Sequence, residues 1–148
     1  MQLDNLYQEV ILDHYKHPQN KKLAEHFDAQ VHHVNPSCGD EIDLNVTLND
    51  DIIASITWDG VGCSISQAST SVMSDLLKGH TISEADAIIE NFLHLMQSKG
   101  TEKGDEEILE DAVAFAGVSQ YPARIKCALL GWMAVKDATV QAIAVKEK

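Results

Sequence analysis

The sequence predicts an α+β fold: a small three-stranded antiparallel sheet with helices packed on one face. Three observations predict it. Residues 29–58 contain short runs of strand character, and the runs on either side carry apolar residues at helical spacing. The elements are also segregated as helix, strands, then helices. A chain of 148 residues is long enough for one sizeable core and short for two, so residues 1–148 are expected to form a single domain.

The first helix is expected over residues 3–16. Leu3, Leu6, Tyr7, Val10, Ile11 and His14 recur at steps of three and four, and Pro18 ends the run. Residues 17–28 read as irregular. AQVHHVN (29–35) is a short strand candidate. IDLNVTL (42–48) alternates apolar and polar residues, as a half-buried strand should. Asn49-Asp50-Asp51 marks a turn, and IIASITW (52–58), rich in β-branched residues, completes a hairpin.

After Gly60-Val61-Gly62 the period changes. CSISQASTSVMSDLLKG (63–79) places Ile65, Ala68, Val72, Met73, Leu76 and Leu77 on one helical face. Its many Ser and Thr residues weaken its intrinsic helicity, so tertiary contacts must hold it. Thr81-Ile82-Ser83-Glu84 fits a capping box, followed by the stripe Ala85, Ile88, Ile89, Phe92, Leu95 and Met96. SKGTEKGD (98–105) reads as a loop. A shorter helix is expected over about 106–115, closed by Gly117. Pro122 opens the last helix, predicted to be the most buried.

Composition narrows the function. The chain is 45% hydrophobic and 23% charged, as in ordinary globular proteins, with a formal net charge of -12. That charge disfavours nucleic acid and anionic membranes as partners, because binding them relies on Lys and Arg. No apolar run reads as membrane-spanning. The first residues are acidic where a secretory signal would be basic, so the expected location is cytoplasmic.

Three cysteines, Cys38, Cys63 and Cys127, each sit at a junction between elements. Cys38 lies in the turn Asn35-Pro36-Ser37-Cys38-Gly39-Asp40. Cys63 opens a helix, and Cys127 follows Pro122 within two turns. An odd count in a cytosolic chain argues against lasting disulfides. Helix N-termini favour thiolate, and Arg124 and Lys126 flank Cys127, so lowered thiol pKa values are expected at Cys63 and Cys127. Asp40 offers a fourth donor, and three thiolates with one carboxylate suit tetrahedral Zn²⁺. Glycines 39, 60 and 62 would let backbone approach a ligand closely. On spacing alone, however, the three cysteines match no short zinc motif and read as packed core residues; their junction placement brings the ligand reading level with that one. Both readings stay open at the level of the residues.

Other candidates are weaker. His32 and His33 point to opposite strand faces and cannot chelate one metal together. His14 and His17 share a helix face without a nearby acidic or cysteine partner in sequence. Gly60-x-Gly62 is only part of a dinucleotide fingerprint. Glu106, Glu107, Glu110 and Asp111 read as a solvated helix face.

Taken together, NPSCGD, GVGCSISQAS and YPARIKC resemble the U-type iron–sulfur cluster assembly family (NifU N-terminal/IscU/SufU), in the same order along nearly the whole chain. The chain is most similar to the SufU branch. It lacks the Leu-Pro-Pro-Val-Lys chaperone motif of IscU-type scaffolds, and Lys126 stands where those have a histidine. SKGTEKGDEEILEDAVAF looks like the SufU-type insertion. The resemblance implies a metal site of Cys38, Asp40, Cys63 and Cys127 holding zinc, with Cys38 as persulfide acceptor. It implies that Arg124 assists ligand exchange with a partner, a SufS-type cysteine desulfurase carrying pyridoxal phosphate. Sulfur would pass on to downstream iron–sulfur assembly proteins. Such a chain is a zinc-dependent sulfurtransferase, or sulfur carrier, rather than a stand-alone enzyme. The alternatives are a scaffold assembling a [2Fe–2S] cluster, or holding iron, on the same ligands, and a structural zinc module that binds a protein.

Overall fold

A computed structural model describes residues 5–147, with side chains from Tyr7 onward. Leu3 and the side chain of Leu6, both assigned above to the apolar face of the first helix, lie outside the described residues. Helix α1 spans Asn5–Lys16. Strands β1 (Ala29–Asn35), β2 (Asp40–Asn49) and β3 (Ile52–Val61) form one sheet in the order β1-β2-β3, both pairs antiparallel. Helices α2 (Ser64–Leu77), α3 (Ile82–Met96), α4 (Glu106–Leu109) and α5 (Pro122–Lys146) follow, with a 3₁₀ segment at Glu110–Gln120 between the last two. The expected α+β class and three-stranded sheet are therefore observed.

Alternation decides which sheet face is buried. Ile42, Leu44, Val46 and Leu48 of β2 point inward, and Leu44 lies between Val31 of β1 and Trp58 of β3. β2 and β3 extend further than the apolar alternation suggests. Asp40 is a buried polar start to β2, and Asp59 and Gly60 stay in register opposite Asp43 and Ile42. Gly60 is required there, because a side chain would strike the Glu41 backbone.

The helices cover the inner face. α5 packs across β1 and β2, and α2 packs against both α5 and β3. Ser66, Ser69, Ser71 and Ser74 of α2 are buried and bonded, and only Ser64 at its start is exposed. Ser69 donates to the Ala128 carbonyl at 2.6 Å and accepts the Trp132 indole N–H at 2.9 Å. Tertiary contacts thus hold this helix, as its composition requires. Trp132 in turn stacks on Phe92 of α3 at 4.0 Å between ring centroids. The capping box of α3 is present in both directions: the Glu84 N–H reaches Thr81 Oγ1 at 3.1 Å, and the Thr81 N–H reaches Glu84 Oε1 at 2.9 Å.

The irregular segment 17–28 crosses the opposite, outer face. The Asn20 carbonyl accepts the Trp58 N–H, and the Ala24 N–H and carbonyl bond the side chains of Thr57 and Asn45. Residues 79–82 bond the far end of β3 through Ile53 and pair Thr81 with Ile52.

Two expectations are corrected. The helix expected over 106–115 is one α turn followed by the 3₁₀ segment, and Gly117 lies inside that segment instead of ending it. Glu110 breaks the α path at φ 47°, and residues 112–116 are all buried. With no polar face, the run has no helical period to keep, and it packs as tighter turns among α1, α2, α3 and α5. The second correction concerns α5, whose 25 residues are long and apolar enough, by length and composition alone, to cross a membrane. Counting consecutive apolar residues missed this, because Lys136 and Asp137 interrupt the run. In the fold these two reach outward, to Glu90 at 3.4 Å and His33 at 2.8 Å, while Ala128, Trp132, Val135, Ala138 and Ala142 are buried. α5 spans the core, but contrary to expectation it is not the most buried helix: α2 has 12 of its 14 residues buried, against 10 of 25 in α5.

Gly131 of α5 sits where a Cβ would overlap the side chain of the buried Thr70 on α2. Gly131→Ala is expected to destabilise the protein by about 1–3 kcal/mol in chemical denaturation. Adding Thr70→Ala should recover a large part of the loss. Equal loss in the single and double variants would show that this helix contact is not the constraint.

Candidate metal centre

The turn after β1 is built by one carbonyl. Asn35 O accepts the N–H groups of Cys38 at 3.2 Å and Gly39 at 2.9 Å, and Gly39 adopts φ 72°, a conformation that suits glycine. The turn leaves Cys38 exposed and delivers Asp40 into the interior at 0% exposure. Cys63 is the N-cap of α2, partly buried, and Cys127 lies in the second turn of α5 at 0% exposure.

Tertiary packing brings these distant residues together. The sulfurs of Cys38 and Cys127 are 3.2 Å apart, and both face the Ala123 carbonyl oxygen, at 3.9 and 3.7 Å. One donor atom each from Cys38, Asp40 and Cys127 lie within 4.8 Å of one another. Cys63 stands outside that three-membered group but belongs to its surroundings. Its N–H donates to Asp40 Oδ1 at 2.9 Å, and its thiol interacts with that of Cys127. Arg124 is exposed on the first turn of α5, three residues before Cys127.

The donor set fits a thiophilic divalent ion such as zinc. Asp40 Oδ1 is satisfied by Cys63, whereas Oδ2 is buried without a hydrogen-bond partner. A buried carboxylate oxygen left in this state is costly unless a proton or cation meets it. Two neighbouring sulfurs supply the soft donors that zinc favours.

One electrostatic expectation is corrected. The Cys127 thiol is pushed far above its ordinary range, not lowered, by burial first and then by the neighbouring Cys38, Asp40 and Cys63 side chains. Proximity to the start of α5 does not offset this, and Arg124 and Lys126 are exposed. The glycines also act differently from expectation. A Cβ at Gly62 would overlap Asp40 Oδ1 and come within 2.6 Å of Ser66 Oγ, so Gly62 makes room for the carboxylate rather than for a ligand's approach. Sequence reading dismissed the dinucleotide fingerprint at Gly60-x-Gly62 and gave Gly62 only a role in close backbone approach. Its true signal was its place directly before Cys63.

The histidines have separate partners. His32 Nδ1 lies 2.8 Å from Asp43, and His33 Nε2 lies 2.8 Å from Asp137. His14 is buried, with Nδ1 2.8 Å from Ser71 Oγ, while His17 is exposed, so the two do not form a site. Glu106, Glu107, Glu110 and Asp111 are exposed as expected, although Asp111 approaches His14 at 3.5 Å.

Comparison with known proteins agrees with this geometry. Residues 6–128 match the model of the NifU-like N terminal domain. The chain is 45% identical over 134 residues to the zinc-dependent sulfurtransferase SufU of Bacillus subtilis, covering 90% of this chain and 89% of that protein. It is 40% identical to the iron–sulfur cluster assembly scaffold protein IscU of Streptococcus pyogenes, covering 92% and 84%. Among solved structures, the iron–sulfur cluster assembly scaffold protein for the SUF system of Fervidobacterium islandicum superposes with a TM-score of 0.81 at 35% identity, covering 88% and 93%. A NifU-like N-terminal protein of Brucella abortus shares the fold, with a TM-score of 0.85 at 24% identity and coverage of 98% and 97%.

Two outcomes follow for the purified protein. Zinc added to metal-free wild type at a hundredfold excess over its Kd should stabilise the fold by about 2.7 kcal/mol. Gly62→Ala and Asp40→Ala should each shrink that gain, and a full gain in both would remove Asp40 from the site. The second outcome concerns pH. A raised folded pKa at Cys127 stabilises the metal-free fold fully below the unfolded thiol value, about 8.5. That contribution is lost as pH rises from there toward the folded value. Thermal melts of metal-free wild type should therefore lose stability above this pH more steeply than those of Cys127→Ala. Parallel profiles would contradict the assignment.

Proposed function

This chain belongs to the family of NifU-like N-terminal domains, and we propose that within it the chain acts as a zinc-dependent sulfur acceptor in iron–sulfur cluster assembly. The observation that carries this reading is Cys38, exposed on its turn, with its sulfur 3.2 Å from the buried Cys127 sulfur and grouped with the half-satisfied Asp40. A closed structural site would bury all of its sulfurs, whereas here one is accessible on a turn.

In this proposal Cys38, Asp40, Cys63 and Cys127 hold the metal. Bound zinc supplies the positive charge that keeps the sulfurs as thiolates at neutral pH. Cys127 and Asp40 are fixed by their helix and strand, so Cys38 is the ligand free to detach. Its thiolate attacks the outer sulfur of a persulfide on the partner, forming a new S–S bond at Cys38 and releasing the partner's cysteine as thiolate. Arg124, exposed one turn before Cys127, meets the incoming partner and assists the exchange. The sulfur donor is a SufS-type cysteine desulfurase, and downstream assembly proteins receive the sulfur. A second reading is a scaffold that builds a [2Fe–2S] cluster on the same residues. The likeness to IscU of Streptococcus pyogenes supports it, while Lys126 in place of the scaffold histidine weighs against it.

Wild type added to a SufS-type desulfurase should raise cysteine turnover about tenfold or more, a barrier change of ~1.4 kcal/mol or more. Cys38→Ala should abolish the effect. Arg124→Ala should reduce it with zinc content unchanged. A stable visible iron–sulfur chromophore, with no acceleration by wild type, would overturn the sulfur-acceptor reading in favour of the scaffold.

A further inference from the structure

The outer face of the sheet is covered at one end and bare at the other. Strand register sets out its rows. Gln30, Asn45 and Thr57 form one row, His32, Asp43 and Asp59 the next, and Val34, Glu41 and Val61 the last. Segment 17–28 covers Asn45 and Thr57 of the first row through the bonds from Ala24, while Gln30 at the β1 side stays exposed. The other two rows lie at the end where β1 leads into the Cys38 turn and β3 leads into Gly62 and Cys63.

Two features of these rows are unfavourable in an isolated chain. Val34 and Val61 are 49% and 63% exposed on either side of Glu41. Asp43 and Asp59 stand directly opposite each other, a like-charge arrangement that destabilises a sheet. His32 reaches only Asp43, and Asp59 Oδ1 accepts its neighbour Gly60 N–H at 2.8 Å. Three carboxylates and two bare valines therefore share a face at the end of the sheet that leads into the Cys38 turn.

We propose that this patch, Val34, Glu41, Val61, Asp43 and Asp59, is the surface on which the sulfur donor docks. The inference rests on the sulfur-acceptor reading and names the contact that reading lacks. A donor must bring its persulfide within bonding distance of Cys38, so its footprint includes surface next to that turn. On the helix side the footprint takes in Arg124 at the start of α5, and on the other side it extends onto the outer rows next to the turn. Charge fixes the chemistry of the occupant: apolar side chains to cover the valines, ringed by Lys and Arg to meet the carboxylates. A second copy of this chain would set acid against acid.

The test measures stimulation of a SufS-type desulfurase against the concentration of each variant. Val34→Ser with Val61→Ser, and separately Glu41→Lys with Asp59→Lys, should raise the half-maximal concentration about tenfold or more. Maximal turnover and zinc content should stay at wild-type levels. Asp59→Asn removes the repulsion, so it should melt higher by roughly 1–4 °C yet bind more weakly. Val140→Ser, an exposed position on α5, should behave as wild type. Half-maximal concentrations within about twofold of wild type for both double variants would overturn the surface and leave the sulfur-acceptor reading standing. Patch-dependent binding without any stimulation by wild type would overturn that reading and keep the surface.

Discussion

The structure around the candidate metal centre depends on one buried carboxylate. Asp40 closes the β1–β2 turn, begins β2, and accepts the backbone N–H that opens α2. Through Oδ1 it fixes the sheet to the helix that carries Cys63. Through the unpartnered Oδ2 it leaves an electrostatic demand inside the fold. Everything adjacent makes room for it. Gly62 lacks the Cβ that would collide with it, and Gly39 gives the turn its left-handed step. A neutral residue would satisfy the packing more cheaply, so the retained acid points to a cation as its partner.

Much of this architecture was readable in the sequence where one strong period dominates. The stripe Ala85, Ile88, Ile89, Phe92, Leu95 and Met96 is buried as predicted, and so is the alternation of β2. The capping box was readable because both of its bonds are local. The approach of the cysteines was not derivable from spacing. It depends on where α2 and α5 settle against the sheet, and only the family resemblance anticipated it. That packing is set by Ser69 bridging Ala128 to Trp132 and by Gly131 against Thr70. These are contacts between residues roughly sixty positions apart, made by side chains that local propensity treats as helix-weakening.

The misread elements have the same kind of cause. The run at 112–118 is apolar all round, so its buried environment, not its period, selects the 3₁₀ path. The Cys127 thiol sits near a helix start that would favour thiolate in water, but it is fully buried among other thiols, and desolvation outweighs the dipole. A local rule predicted the sign of one contribution, and tertiary structure reversed the total.

The distribution of bonds over the sheet explains how a rigid fold can present a labile ligand. The far end of β3 is tied by residues 79–82, and the middle of the outer face by segment 17–28. The core beneath is filled by α5, whose mid-helix Lys136 and Asp137 are turned outward to Glu90 and His33. Asp40 and Cys127 stand on this rigid part. Cys38 alone extends past it, on a turn whose backbone bonds come from the single carbonyl of Asn35. Moving Cys38 therefore disturbs a short turn and its sulfur's contact with Cys127, whereas moving Cys127 or Asp40 would require a helix or a strand to shift. The order in which the donors can leave is set by the elements that carry them. In the proposed site, Cys38 is the donor whose departure would move the least structure, and its turn adjoins the uncovered rows of the sheet.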